Sequence, residues 1–230
     1  MSFYYNFFIW ANINSSKYGF LEQTPFPVTS AMDFSTQCVP FKSTPSFLKE
    51  NIRQTVNVSV TLGLTNRNVY DEIYSWLFNN NELSNLIFSS DLNKCYKAIC
   101  KSATPNYKNY NVSSLKIDFE CFPYRYNVQN IPLIINSTST IIVESNYYSE
   151  PCIKINGNGN GTITINNSTI SVYVDDYLTL DSERLLAYKD NVVCLNQMVG
   201  KFPIFQVGEN SVSFDGGITS LEILKNERWI

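Results

Sequence analysis

The stretch YYSEPCIKINGNGNGTITI, residues 147–165, is the most informative part of this chain. Apolar and polar side chains alternate over residues 152–155 and again over 162–165, which is typical of half-buried β-strands. The Asn-Gly run of residues 156–161 predicts a hairpin turn, because these residues tolerate positive φ. Residues 147–230 continue as short strands at intervals of about eight to twelve residues, without an amphipathic helix. This half therefore predicts a β-sandwich.

The preceding half is also rich in strands but contains one helix. Apolar residues occupy every second position from 56 to 62, within a strand predicted over Arg53–Leu62. Residues Asn68–Phe78 change to a helical period with one apolar face. A second half-buried strand ends at Pro123, which cannot donate to a ladder. The sequence thus predicts a mainly β protein, with a β-rich α+β domain over residues 1–144 and the β-sandwich over 145–230.

Residues 24–50 carry four prolines and many Ser and Thr residues, which excludes a central strand or a long helix. A segment of this kind is either a disordered loop or an extended arm that binds something. We predict an arm by which one copy of the chain holds its neighbour. The candidate arm residues are Pro25, Phe26, Pro27, Phe41 and Phe47.

Composition argues against several functions. The net charge is −3 and the 17 basic residues are spread along the chain, whereas a nucleic-acid binder concentrates them. The chain has no His, and its six cysteines form no CxxC pair, so neither the usual catalytic triads nor a common zinc site is predicted. The carboxylate pair Asp175–Asp176 is expected to be a solvated surface feature. We predict no catalytic, metal or cofactor residues.

The first ten residues are apolar but lack the basic region and the cleavage site of a signal peptide. Their apolar run is also too short to span a bilayer. We therefore expect a cytosolic product with reduced thiols and no membrane insertion.

The order of these segments resembles the distal tail proteins of long-tailed phages. The resemblance covers about residues 50–125, through the strand, the helix and the stretch Ile117–Tyr124, and residues 145–230, through the strand series described above. The chain departs from the family in two places. Residues 25–49 contain no Gly, although members often carry a Gly-containing turn there, and Glu227 replaces one of two basic residues that often flank Trp229.

The resemblance implies a structural protein of the virion, located at the phage tail tip and assembled in the host cytoplasm. Its N-terminal domain would form a homohexameric ring with a DNA-wide channel, and its C-terminal domain would be a galectin-like β-sandwich on the outside. The implied partners are the tail tube protein, the tail-associated lysin or baseplate, and the tape-measure protein, with DNA only in transit and no cofactor. A prophage or a tail-like bacteriocin could use the same protein.

A carbohydrate-binding module that recognises a host cell-wall saccharide is the alternative function. Such modules stack an exposed aromatic ring on a sugar, with polar groups around it. The opposing interpretation is that the aromatic residues of the C-terminal half only pack in the core or between domains. The candidate stacking residues are Tyr147, Tyr148, Tyr173, Tyr177 and Trp229.

Overall fold

The mainly β fold predicted from the sequence is confirmed, since strands make up 62% of the structure and helices 7%. The chain divides into two compact units. The N-terminal unit is residues 1–128 together with Ile230, and the C-terminal unit is residues 129–229. The structure is a computed structural model that describes residues 6–38, 40–41, 43–44, 46–65, 69–79, 82–108 and 111–230.

The N-terminal unit contains nine strands and one α-helix among its described residues, with a 3₁₀ turn at Ser15–Lys17. The elements are β1 Phe8–Trp10, β2 Ile13–Asn14, β3 Gly19–Leu21, β4 Met32–Gln37, β5 Ser46–Arg53, β6 Val56–Leu64, α1 Tyr70–Phe78, β7 Ser84–Phe88, β8 Asp91–Lys108 and β9 Asn111–Asn127.

An antiparallel sheet with the order β2-β1-β7-β8-β9-β6-β3 supports this unit. The alternation predicted for β6 is present, because its apolar side chains are buried and the polar ones between them are exposed or half-buried. Helix α1 buries Ile73, Trp76 and Leu77 against the sheet core. Asn68, which the helix prediction placed at its start, lies outside the described residues.

Two strand boundaries predicted in this unit are wrong. The strand expected over Arg53–Leu62 is two strands, since β5 ends at Arg53 and β6 begins at Val56. Strand β9 continues through Pro123 to Asn127. Pro123 lies at an irregularity of the β8–β9 pairing, between Cys121 and Arg125, where the register shifts. A proline is tolerated there because a bulge leaves residues without a ladder partner.

The C-terminal unit consists of nine strands and a 3₁₀ turn at Leu195–Gln197. The strands are β10 Leu133–Ile135, β11 Ser139–Val143, β12 Cys152–Ile165, β13 Ser168–Asp181, β14 Leu186–Lys189, β15 Val192–Val193, β16 Met198–Val199, β17 Gly208–Leu224 and β18 Arg228–Trp229.

Three long strands, β12, β13 and β17, contain most of the strand residues of this unit. They have 14, 14 and 17 residues, so the prediction of short strands is wrong for them, whereas the other six strands have two to five residues. The antiparallel sheet has the order β10-β17-β12-β13-β14-β15, with β11 also paired to β17 and β16 also paired to β13. The isoleucine side chains at alternate positions at both ends of β12 are buried in a core of mostly branched aliphatic residues that includes Phe205. The galectin-like form of this unit stays a prediction.

The glycine-rich run of residues 156–161 is not a hairpin turn, because it lies in the middle of β12. The turn between β12 and β13 falls at Asn166-Asn167. Gly216 and Gly217 lie within β17, beside the same stretch of β12, where Gly216 pairs with Gly161 and the register shifts. A Cβ at Gly217 would lie 2.0 Å from the Asn158 carbonyl oxygen. These glycines therefore permit two long strands to approach closely.

The division between the compact units lies at residues 128 and 129. The sequence placed the domain boundary at 144 and 145, after the β-branched stretch of residues 141–143. Strands β10 and β11 precede that boundary but pair with β17 of the C-terminal unit. They belong to the second sheet because it is β17 that satisfies their backbone groups.

Candidate functional sites

Strands β4 and β5 form a two-stranded hairpin in the region predicted as an arm. Among the described residues, the two strands pair only with each other. Phe41 lies in the connection between them and is fully exposed, with a positive φ of 67°. Phe47 lies in β5 opposite Thr36, and its side chain is outside the described residues. The predicted loop is therefore partly a β-ribbon.

The base of this hairpin is attached to the N-terminal unit by hydrogen bonds. The Val28 backbone N–H donates to the Tyr96 hydroxyl at 3.1 Å. The Arg53 guanidinium donates to the carbonyl and the hydroxyl of Ser30, both at 3.3 Å. The contact with Tyr96 holds the entry of the hairpin on β8, and the contacts between Arg53 and Ser30 join the exit of the hairpin to its entry.

The remaining candidate arm residues lie before the hairpin. Pro25, Phe26 and Pro27 border a small cavity of about 30 Å³ with Tyr96 and Arg125. Phe26 is nonetheless 85% exposed. The structure therefore divides the predicted arm residues among the segment before the hairpin, strand β5 with Phe47, and the connection with Phe41.

Tyr147 and Tyr148 form a cluster with a buried arginine. Their ring centroids are 4.5 Å apart, and the Arg228 guanidinium carbon lies 4.8 Å from the Tyr148 ring. Arg228 also donates to the Glu150 carboxylate at 3.0 Å. Burial raises the pKa of Tyr148. The geometry agrees with a packing role for both rings, because the cation covers them.

Tyr177 and Trp229 are the next two candidates in this unit. The Lys154 and Lys189 amino groups lie 5.0 and 5.4 Å from the centre of the Tyr177 ring. The Tyr177 hydroxyl is hydrogen-bonded to Asp190, which raises its pKa. Trp229 is half-buried in β18. The charged side chains around Tyr177 thus differ from the Arg228 and Glu150 of the tyrosine cluster, whereas Trp229 directly follows Arg228 in the chain.

Tyr173 is the candidate whose ring is open. It is 49% exposed, and no described residue makes a ring contact or a hydrogen bond with its side chain. It borders a groove of about 410 Å³ in the C-terminal unit. The register places Asn160 of β12 directly beside it. Of the five predicted stacking residues, only Tyr173 lines this groove.

Sequence reasoning missed the other groove residues. They come from β12, β13, β16, β17 and the 3₁₀ turn, so no local motif joins them. The signal that could have found them is the pairing of the long strands, which the turn interpretation of the glycines concealed. Besides Tyr173, the residues that line the groove include Asn160, Asn196, Gln197, Val199 and Asp215.

The cysteines are all unpaired with one another. Burial raises the pKa of Cys95 to about 11 and that of Cys100 and Cys121 to about 12, so these thiols stay protonated near neutral pH. Cys38 is exposed.

Among the described residues, no cluster of three or more His, Cys, Asp or Glu side chains is arranged to hold a metal ion. The Asp175 carboxylate lies 3.5 Å from the Lys189 amino group, as in a surface ion pair. No helix among the described residues is long and apolar enough to cross a membrane.

Comparison with solved structures gives a match over nearly the whole chain. The crystal structure of the Dit (gp 19.1) protein of phage SPP1, described as a paradigm of the hub adsorption apparatus in phages that infect Gram-positive bacteria, aligns with a TM-score of 0.75. The match covers 98% of this chain and 99% of that chain at 7% sequence identity. The fold is that of SPP1 Dit.

The expected resemblance to distal tail proteins is therefore confirmed at the level of fold. The baseplate of phage p2 in its activated conformation, with Sr and with Ca, also matches, in both cases with a TM-score of 0.49 and 8% identity over 95% of this chain and 96% of the other. No protein-family profile and no curated protein matches the sequence.

Proposed function

We propose that this protein is the hub of a phage tail tip. Six copies form a ring that joins the tail tube to the baseplate or the tail-associated lysin, contacts the tape-measure protein during assembly, and lets DNA pass through its centre. The protein works by shape and has no catalytic step. The observation that carries the proposal is the SPP1 Dit fold over 98% of the chain.

The hairpin of β4 and β5 supports self-association. A two-stranded ribbon is only marginally stable in water unless something packs on it or extends it. Its strands have 6 and 8 residues and, among the described residues, no third strand beside them. A neighbouring copy of the chain is the partner that we propose for it. A ring closes when this contact is head-to-tail and its rotation returns to the start after six copies.

The charge of the chain agrees with a DNA conduit. A channel that DNA must leave quickly gains nothing from strong phosphate binding, because such binding is dominated by Lys and Arg. The chain carries 17 basic and 20 acidic residues.

Negative-stain microscopy and native mass spectrometry of the full chain test the proposal. We expect six-fold particles with a central hole and a mass about six times the 26.3 kDa of one chain. A chain that remains monomeric at high concentration would contradict the ring.

A shortened hairpin tests the arm. Replacing residues 35–48 by Asn-Gly keeps the Phe34–Lys49 pair and the hydrogen bonds of Arg53 and Val28 at the base. We expect a folded monomer with an unchanged circular dichroism spectrum. Ile131→Ser is the matched control, because Ile131 is a 73% exposed apolar residue far from the hairpin in sequence. Rings that persist in the shortened variant would contradict the role of the arm but not the hub itself.

A further inference from the structure

We propose that the groove beside Tyr173 is a binding site for a neutral oligosaccharide. This site goes beyond the hub role, since a ring can form whether or not the groove is filled. The groove volume of about 410 Å³ lies within the range of about 300–1,000 Å³ that is usual for small-ligand sites.

The floor of the groove is the outward face of four neighbouring strands. Strand pairing places Asp215, Thr162, Ser171 and Val199 in one row across β17, β12, β13 and β16. Asn160 and Tyr173 form the next row. The two rows present hydroxyl, amide and carboxylate groups within reach of one aromatic ring.

Two features border this surface. The 3₁₀ turn Leu195–Gln197 contributes Asn196 and Gln197 at one side. Gly161 and Gly216 pair with each other on the other side, where a Cβ at Gly216 would lie 2.5 Å from the Asn160 carbonyl oxygen. The absence of side chains at these two positions lets β12 and β17 approach closely at this edge of the groove.

The chemistry of the groove fits a sugar ring. The apolar face of a pyranose can stack on an open aromatic ring such as Tyr173, while its hydroxyl groups bond to amides and a carboxylate such as Asn196, Gln197 and Asp215. An isolated open ring of this kind costs nothing to uncover, because no described residue has to leave it first.

The charge of the groove selects among saccharides. Its described lining contains one acid, Asp215, and no Lys or Arg. Phosphodiester polymers are therefore disfavoured, because anion binding needs basic groups or convergent backbone N–H groups. A neutral hexose or N-acetylhexosamine oligomer is favoured.

Isothermal titration of the full chain with defined probes tests the site. The probes are linear tetrasaccharides of glucose, galactose and N-acetylglucosamine, with poly(glycerol phosphate) as the anionic comparison. We expect at least one neutral tetrasaccharide to bind with a dissociation constant of about 1 mM or lower.

Four variants then locate the binding. Tyr173→Ala should weaken it about tenfold or more, and Tyr173→Phe should retain it within about threefold, because stacking persists without the hydroxyl. Tyr107→Ala is the matched control and should leave it unchanged, since Tyr107 is 69% exposed on β8 of the N-terminal unit. Gln197→Ala should weaken binding about threefold to tenfold through a lost hydrogen bond.

The proposal is overturned if none of the neutral tetrasaccharides binds, if only poly(glycerol phosphate) binds, or if Tyr173→Ala binds as well as the parent chain. Microscopy of the same samples separates this result from the hub proposal, because ring formation does not depend on Tyr173. Rings without sugar binding would reject the groove alone, and sugar binding without rings would reject the hub alone.

Discussion

The two units bury different kinds of side chain. In the N-terminal unit, aromatic rings from separate strands and from the helix meet: Phe119 lies 5.7 Å from Phe8 and 5.0 Å from Trp10, and Trp76 stacks on Phe8 at 5.5 Å. The C-terminal core consists almost entirely of Ile, Val and Leu, with Phe205 its one buried Phe. The N-terminal rings come from the short strand β1, from helix α1 and from the long strand β9, and large side chains fill the space between such unlike elements. The long paired strands of the C-terminal unit stack branched residues in regular rows instead.

The largest expected effect is at the centre of the aromatic core. Phe119→Ala should lower the free energy of unfolding by about 3–5 kcal/mol, because it removes a fully buried ring and leaves a cavity. Urea unfolding, followed by tryptophan fluorescence, measures it. Ile163→Val in the aliphatic core is the matched control, at about 0.5–1.5 kcal/mol. Equal losses in the two variants would break the comparison between the units.

The aromatic cluster of the C-terminal unit gives the second prediction. Arg228→Met should cost about 3 kcal/mol, because it leaves the Glu150 carboxylate without its buried partner and uncovers the two tyrosine rings. The same change at Arg184 should cost less than about 1 kcal/mol, because that side chain is mostly exposed where it pairs with Asp181. Thermal unfolding compares them. A cost at Arg228 as small as that at Arg184 would show that the cluster is not held by its cation.

The third prediction concerns the close approach of strands β12 and β17. Gly217→Ala should cost about 1–3 kcal/mol, since the new methyl group would meet the Asn158 carbonyl and force the backbones apart. Gly208→Ala should cost less, because no atom lies within 4 Å of its Cβ position and only its positive φ opposes the change. Hydrogen exchange should locate the loss in β12 and β17. Unchanged exchange in Gly217→Ala would contradict the close approach.

The smallest expected effect is electrostatic. Hydrogen bonds from Ser59 and Ser102, opposed by burial, hold the pKa of Asp118 below its usual value. Because the folded pKa is lower than the unfolded value of about 3.9, ionised Asp118 stabilises the fold above that pH, and the stabilisation is lost as the pH falls through the folded pKa. Asp118→Asn should therefore flatten the dependence of the unfolding free energy on pH below about 4, by less than about 1 kcal/mol. A slope identical to that of the parent chain would show that these bonds do not affect stability.

Local sequence patterns predicted the elements in which buried positions recur with a regular period. The alternation in β6 and the apolar face of α1 were sufficient, because burial follows directly from a period of two or of 3.6 residues. The length of β12 was missed because a glycine in a turn and a glycine at a close approach of two strands look the same in the sequence. The end expected at Pro123 failed because a bulge removes the need for its N–H.

The candidate sites were harder to predict for the same reason. Tyr173 could be named as an aromatic residue in a strand, but its openness follows from what neighbouring strands place around it. Tyr147 and Tyr148 had the same composition signal and are covered by Arg228, which is 80 residues away from Tyr148 in the chain. A sequence read segment by segment contains neither fact.

Cys38 follows directly after β4, and the other five cysteines are buried or half-buried. A maleimide dye would therefore attach to the unmodified chain chiefly beside the hairpin connection. Such a dye would sit on the segment proposed to touch the next copy, so its self-quenching would follow subunit addition in real time without any engineered position.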